Sequence, residues 1–243
     1  QEQPSDAPGH KTASPIPPPP VEAAPPSSVA PAAPAANTGL PSRRARQIEV
    51  ESPLYNIVLT ETHGAFKALI LNGFKESVAS DAAFKSLIAA DKINNNMRFG
   101  FKGQSVPGLE DAVYTAQSDQ DQVIVGDKPA KINFSWTSTN GIEVVKAFTF
   151  YPDTYLIDVD IAVTNRGSAA LKDRATLSVS RAMDENQSRV VFEGASGLVD
   201  ANLKEIAVGD IEDNAETSGL IEWVGIVDRY FMSALIPTEA AQG

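Results

Sequence analysis

Tyr155-Leu156-Ile157-Asp158-Val159-Asp160-Ile161-Ala162-Val163-Thr164-Asn165 decides the fold. Tyr155, Ile157, Val159, Ile161 and Val163 share one face, and Leu156, Asp158, Asp160, Ala162 and Thr164 the other. A period of two is the pleat of a long strand with one buried side. Asn165-Arg166-Gly167 supplies the turn that ends it. Just upstream, Ile132, Phe134 and Trp136 alternate with Asn133, Ser135 and Thr137. Asn140-Gly141 follows, and then Ile142, Val144, Phe148 and Phe150 share a face. Two alternating runs around Asn-Gly are a strong hairpin signal. With Pro152-Asp153 feeding the long strand, residues 131–164 read as an antiparallel meander.

Working outward, further strands are expected at Gln47–Glu51, Leu54–Thr62, Ala65–Asn72, Met97–Lys102, Ala112–Gln117, Gln122–Val125, Ala175–Ser180 and Val190–Glu193. Two stretches read as helix. Asp81–Ala90 places Phe84, Leu87 and Ile88 at i, i+3, i+4; Leu220–Phe231 places Trp223, Val227, Tyr230 and Phe231 on one side. On the helical reading the second stretch is core, with Trp223 as its anchor, rather than an exposed partner site. No β-α alternation and no Gly-rich strand-to-helix turn occurs, which argues against doubly wound nucleotide folds.

The first 42 residues hold twelve of the 17 prolines, and none of the 17 aromatic residues precedes Tyr55. Such a segment cannot bury enough apolar surface to offset its ordering entropy. Residues 1–46 therefore read as a disordered tether, stiff at Pro17-Pro18-Pro19-Pro20, and residues 47–243 as the folded domain. The tether reads first as a spacer and second as a ligand for a proline-binding module. The chain opens on Gln1, without an initiator Met or an apolar leader, which suggests a processed or partial chain. No run approaches the 18 apolar residues of a membrane span.

Composition narrows the chemistry. The 20 Lys+Arg against 31 Asp+Glu give a net charge of −11, which disfavours nucleic acid as a partner. Four basic and three acidic residues precede Gln47, leaving 16 against 28, or −12, on the folded part. With no Cys, disulfides and thiolate chemistry are excluded. The two His, His10 and His63, leave little room for a zinc site or a Ser-His-Asp triad. His63-Gly64 reads as a tight turn rather than a general base. Asp158 and Asp160 lie on the polar face of a strand, where they suit edge protection better than acid–base work. Asp119-Gln120-Asp121 lacks the Gly and terminal Glu of a calcium loop. Asn133-Phe134-Ser135 and Asn186-Gln187-Ser188 match the glycosylation pattern, the first in mid-strand. Arg43-Arg44-Ala45-Arg46 is the one basic cluster; it reads as linker charge or as a patch leaning on a membrane surface.

Three pieces carry a family resemblance. The first is Leu54-Tyr55-Asn56-Ile57-Val58 with His63-Gly64-Ala65-Phe66 and Leu69. The second is Val145-Lys146-Ala147-Phe148-Thr149-Phe150, then Tyr155-Leu156-Ile157-Asp158-Val159 and Val163-Thr164-Asn165. The third is Trp223-Val224-Gly225, then Arg229-Tyr230-Phe231-Met232-Ser233-Ala234-Leu235-Ile236-Pro237. Together, from about Gln47 to Pro237, they resemble the large periplasmic domain of the YidC/Oxa family of membrane protein insertases. The family's usual Gly-Gly turn is here His63-Gly64. The fingerprint positions are Gly64, Tyr155, Asn165, Trp223, Gly225, Tyr230, Phe231 and Pro237, expected to be structural.

The resemblance implies a mainly β fold, a twisted antiparallel β-sandwich of the mutarotase-like supersandwich type with one or two short helices. It implies further strands and a membrane bundle beyond the third piece. It implies no catalytic residue, cofactor or metal. Its implied partners are Sec accessory proteins of the SecF kind and nascent membrane proteins, contacted loosely within 182–236, on the periplasmic side of a bacterial inner membrane. The rival reading is a carbohydrate-binding or mutarotase-like sandwich with Trp136 or Trp223 as a stacking platform.

Overall fold

A computed structural model describes residues 44–89, 96–181, 192–210, 216–238 and 241–242. The expected tether up to residue 43 and the Asn186-Gln187-Ser188 pattern lie outside the described residues. Within them the strands are β1 (Gln47–Glu51), β2 (Tyr55–Thr60), β3 (Ala65–Lys75), β4 (Phe84–Ile88), β5 (Arg98–Phe101), β6 (Thr115–Ala116), β7 (Gln122–Ile124) and β8 (Ala130–Thr137). They continue with β9 (Ile142–Phe150), β10 (Ile157–Asn165), β11 (Ala175–Ser178), β12 (Gly194–Val199), β13 (Asn202–Ala207), β14 (Leu220–Val227), β15 (Met232–Leu235) and β16 (Ala241–Gln242).

Four sheets form. One runs β4-β3-β2-β1-β7, antiparallel except for the parallel β1–β7 pair. The meander read from the sequence is the second, β10-β9-β8-β6. A two-stranded sheet pairs β11 with β5. The last runs β13-β12-β14-β15, with β16 beside β14. The inner faces of the first two sheets meet in one core. Ile48, Val50, Ile57 and Leu59 come from one side, and Phe134, Val144, Phe148 and Phe150 from the other, all essentially inaccessible. Phe66 crosses between them, its ring centroid 5.1 Å from that of Phe148. The meander is a regular ladder, nine residues long between β9 and β10. The Asn140-Gly141 signal closes it through the loop Ser138-Thr139-Asn140-Gly141, with Gly141 at φ +84.

Both expected helices are strands. Asp81–Ala90 contains β4 instead, because β3 runs on to Lys75 and presents an edge that β4 fills, Leu69 opposite Ile88 and Lys75 opposite Phe84. Three apolar residues in five, Phe84, Leu87 and Ile88, are too short a pattern to fix the period, and the open edge decides. Leu220–Phe231 contains β14, held between β12 on one side and β15 and β16 on the other. Its alternation is Trp223, Gly225, Val227; with no side chain at Gly225 the remaining apolar positions mimic an i, i+4 repeat. Of the strand expected at Val190–Glu193, residues 190 and 191 lie outside the described residues, and 192 and 193 precede β12, which begins at Gly194. In β12, Gly194-Ala195-Ser196-Gly197 carries no hydrophobic period from which to read a strand.

Candidate functional site

Sequence reading passed over one residue of the meander that the fold uses heavily. Lys146 lies on the inner face of β9 between Val144 and Phe148 and is fully buried. Its ammonium donates to the carbonyls of Gly64 at 2.7 Å, Met97 at 2.8 Å and His63 at 3.2 Å. The rings of Phe148 and Tyr114 lie 5.6 and 5.8 Å from it. Burial pushes its pKa down to about 7, while three acceptors for three N–H groups favour the charged form. His63, Gly64 and Met97 all have positive φ, so the lysine gathers carbonyls from two bends of left-handed backbone beside the core. Gly64 is required there: at φ +51, a Cβ would stand 3.2 Å from the ring of Tyr114. His63 sits in that turn as expected; burial, and then Arg98, lower its pKa. Glu61, also fully buried, accepts the backbone N–H of Arg46 at 2.8 Å and of Ala116 at 3.2 Å.

The other sequence candidates also serve the scaffold. Asp158 accepts from the Tyr151 hydroxyl, and Asp160 lies 3.5 Å from Lys131. Asp121 holds the Arg46 guanidinium at 2.6 Å, and the same guanidinium donates to the Ser118 carbonyl at 2.9 Å. Arg46 is therefore docked on the folded part and is not free linker charge. Asn133 is mid-strand in β8, opposite Ala147, and donates to Gln117. Tyr155 packs against Tyr55 at 6.4 Å, and Asn165 accepts from the Gly167 N–H, closing the turn after β10. Trp136, one possible sugar platform, packs against the core beside Tyr114 at 6.3 Å.

The third fingerprint piece builds the β14–β15 hairpin. Gly225 is opposite Ala234, and a Cβ there would fall 2.5 Å from the Ser233 carbonyl oxygen. Phe231 meets Phe74 edge-on at 5.2 Å and lies under the Lys85 amine. Asp228 ties the hairpin down: Arg181 donates to it at 2.5 Å, and Lys85 lies 3.5 Å away. Leu87, Val179, Ile226, Phe231 and Ser233 line a small cleft beside this cluster. Tyr230 is 80% exposed, and Pro237 follows β15.

Pairing fixes the two faces of this last sheet. Leu235 packs on the main core and pairs with Val224; Ile226 and Ser233 face the cleft. Trp223 and Val227 therefore point the other way. Opposite them in register stand Leu198 and Met232, and Leu198 is flanked by Leu203. Trp223 is half-buried and outside the main core, which corrects the expectation of a core anchor. Leu203 and Met232 are 57% and 52% exposed. This apolar face is the candidate functional surface. The helical misreading hid it, although a period-two count through Gly225 would have found it.

Fold and polar nodes together define a β-sandwich scaffold domain whose buried charges brace its own backbone. A family model described as the YidC periplasmic domain matches residues 47–243, and the chain belongs to that family. Among curated relatives, "Membrane protein insertase YidC" of Geobacter sulfurreducens is 27% identical over 193 residues, covering 79% of this chain and 36% of the relative. Proteins of the same name from Methylobacillus flagellatus and Maridesulfovibrio salexigens are each 26% identical, over 84% of this chain and 38% of their own length. The chain thus spans little more than a third of these relatives. No helix among the described residues is long and apolar enough to cross a membrane.

Proposed function

We propose that this chain is the non-catalytic periplasmic domain of an inner-membrane protein insertase, assisting insertion and folding of membrane proteins by offering a docking face. The observation that carries the docking role is the apolar row Leu203, Leu198 and Trp223, continued by Val227 and Met232, on the outer side of the last sheet. Half-exposed apolar side chains grouped on one face suit protein contact, here in two clusters separated by Glu205, Ser196 and Gly225. The partner is a Sec accessory protein of the SecF kind or a periplasmic segment of a nascent membrane protein. The non-catalytic reading is supported by the engagement of Lys146, Asp121, Asp158 and Asp228 in structural contacts. No cofactor enters this reading.

The test is photo-crosslinking in cells, with the domain in its complete gene product. A photoreactive residue at Leu203 or Met232 should capture a translocon component or a nascent chain. The control is Ile124 on β7, 70% exposed and outside this sheet, which should not. Equal capture from all three positions, or none from the first two, would refute the docking face.

A further inference from the structure

β10 is the outer strand of its sheet, and no strand among the described residues pairs with its far side. One bond shows which groups face that side. The Arg166 N–H donates to the Gly141 carbonyl at 2.8 Å, making 166 and 141 a hydrogen-bonded pair. Alternation then turns the N–H and C=O of residues 158, 160, 162 and 164 toward β9. The opposite edge of β9 agrees: the Ser138 N–H donates to the Ile142 carbonyl, so residue 142 and its even-numbered companions serve β8. The backbone groups of Ile157, Val159, Ile161, Val163 and Asn165 are left along the free edge of β10. Of the usual guards of an edge, β10 has no proline, lysine or bulge; it carries only the charges Asp158 and Asp160 in its first half, and Ile161–Asn165 are uncharged.

We infer that β10 is a self-association edge, on which two copies of this chain pair antiparallel about a two-fold axis at Ala162. Charge selects both the occupant and the register. With the axis at Ala162, Asp158 stands opposite the partner's Arg166, twice by symmetry, and Asp160 opposite the partner's Thr164. Arg166 already holds Glu143 at 2.8 Å, and its five N–H groups leave donors for a second carboxylate. Moving the axis to Asp160 sets the two Asp160 carboxylates against each other. Moving it to Ile161 keeps the ladder and loses both ion pairs; moving it to Val163 shortens the ladder. At Ala162, Ile161 bonds to the partner's Val163 and Val159 to the partner's Asn165. Val163, 39% exposed, then gains apolar neighbours from the second copy. The pair is isologous. One strand edge buries less surface than a stable interface, so association is weak and depends on concentration.

The absence of cysteine gives a clean test with the full chain. At Ala162 the two copies form a non-hydrogen-bonded pair, with Cα atoms about 4.5 Å apart, within disulfide range. Thr164 would face the partner's Asp160 instead, about 13 Å along the strand from its own counterpart. Under mild oxidation at 0.15 M salt, which screens the repulsion between two acidic domains, Ala162→Cys should yield at least tenfold more linked dimer than Thr164→Cys. Adding Val163→Pro removes one edge N–H and no bond to β9; it should cut that linkage at least tenfold with the circular dichroism spectrum unchanged. Equal linkage of the two cysteines would overturn the register. Sedimentation of the parent chain as a monomer up to millimolar concentration would overturn self-association, including the case where another segment covers the edge. The comparison of the two cysteines stands even if the proline variant misfolds.

Discussion

Lys146 shows how one residue can set local geometry. Replacing it with Met keeps the volume and leaves three carbonyls, of His63, Gly64 and Met97, without that donor. Lys146→Met should cost about 2–4 kcal/mol in urea denaturation, since a buried polar group stripped of its partner keeps its desolvation penalty. The cost should also depend on pH. The folded pKa of about 7 lies below the ordinary 10.5, so between these values the unfolded chain binds a proton that the folded chain gives up. The stability supplied by Lys146 therefore rises with pH through this window, by at most about 1.4 kcal/mol per unit. His63, with its pKa lowered, titrates below the window. The gap between parent and variant should widen from pH 7 to pH 9; a constant gap would mean that the carbonyls hold the ammonium at its ordinary pKa. The alternation of β9 placed Lys146 on the buried face from the start. What it could not say was which carbonyls lie there, because they come from bends about 50 and 80 residues upstream.

Between elements, the β14–β15 hairpin is paired along β12, and two substitutions weigh the side-chain ties that add to this pairing. Asp228 has a side chain only 13% exposed and bonds Arg181 and the Arg229 N–H, with Lys85 close by. Asp228→Ala should cost about 2–4 kcal/mol, because two cations then share a partly buried site without their anion. Circular dichroism during thermal unfolding would measure it; an unchanged midpoint would mean that pairing with β12 and the apolar contacts of Phe231 and Leu235 hold the hairpin without the ion cluster. Trp223 is half-buried on the outer face, so Trp223→Ala should cost about 1–2 kcal/mol, below the ~3–5 kcal/mol of a fully buried aromatic. A larger shift of the urea midpoint would restore the core-anchor expectation.

For the molecule as a whole, the composition break near residue 43 predicts that the proline-rich segment is dispensable for folding. Deleting residues 1–42 should leave Tm within about 2 °C, since 1 kcal/mol moves Tm by roughly 2–4 °C at this size. Deleting residues 1–46 should lower Tm measurably, because Arg46 bonds Asp121, Ser118 and Glu61. Equal Tm for the two truncations would show those bonds to be dispensable. Differential scanning calorimetry of both separates the outcomes. Read alone, the sequence determined the meander, the β1–β3 strands, the turn at His63-Gly64 and the family, since period-two alternation, Gly placement and short fingerprints are local signals. Only the tertiary structure decided that Phe84–Ile88 and Leu220–Val227 are strands, that Trp223 faces outward, and that β10 is an edge. Those outcomes depend on which backbone hydrogen-bonding groups distant strands leave unpaired, and no local run of side chains encodes that.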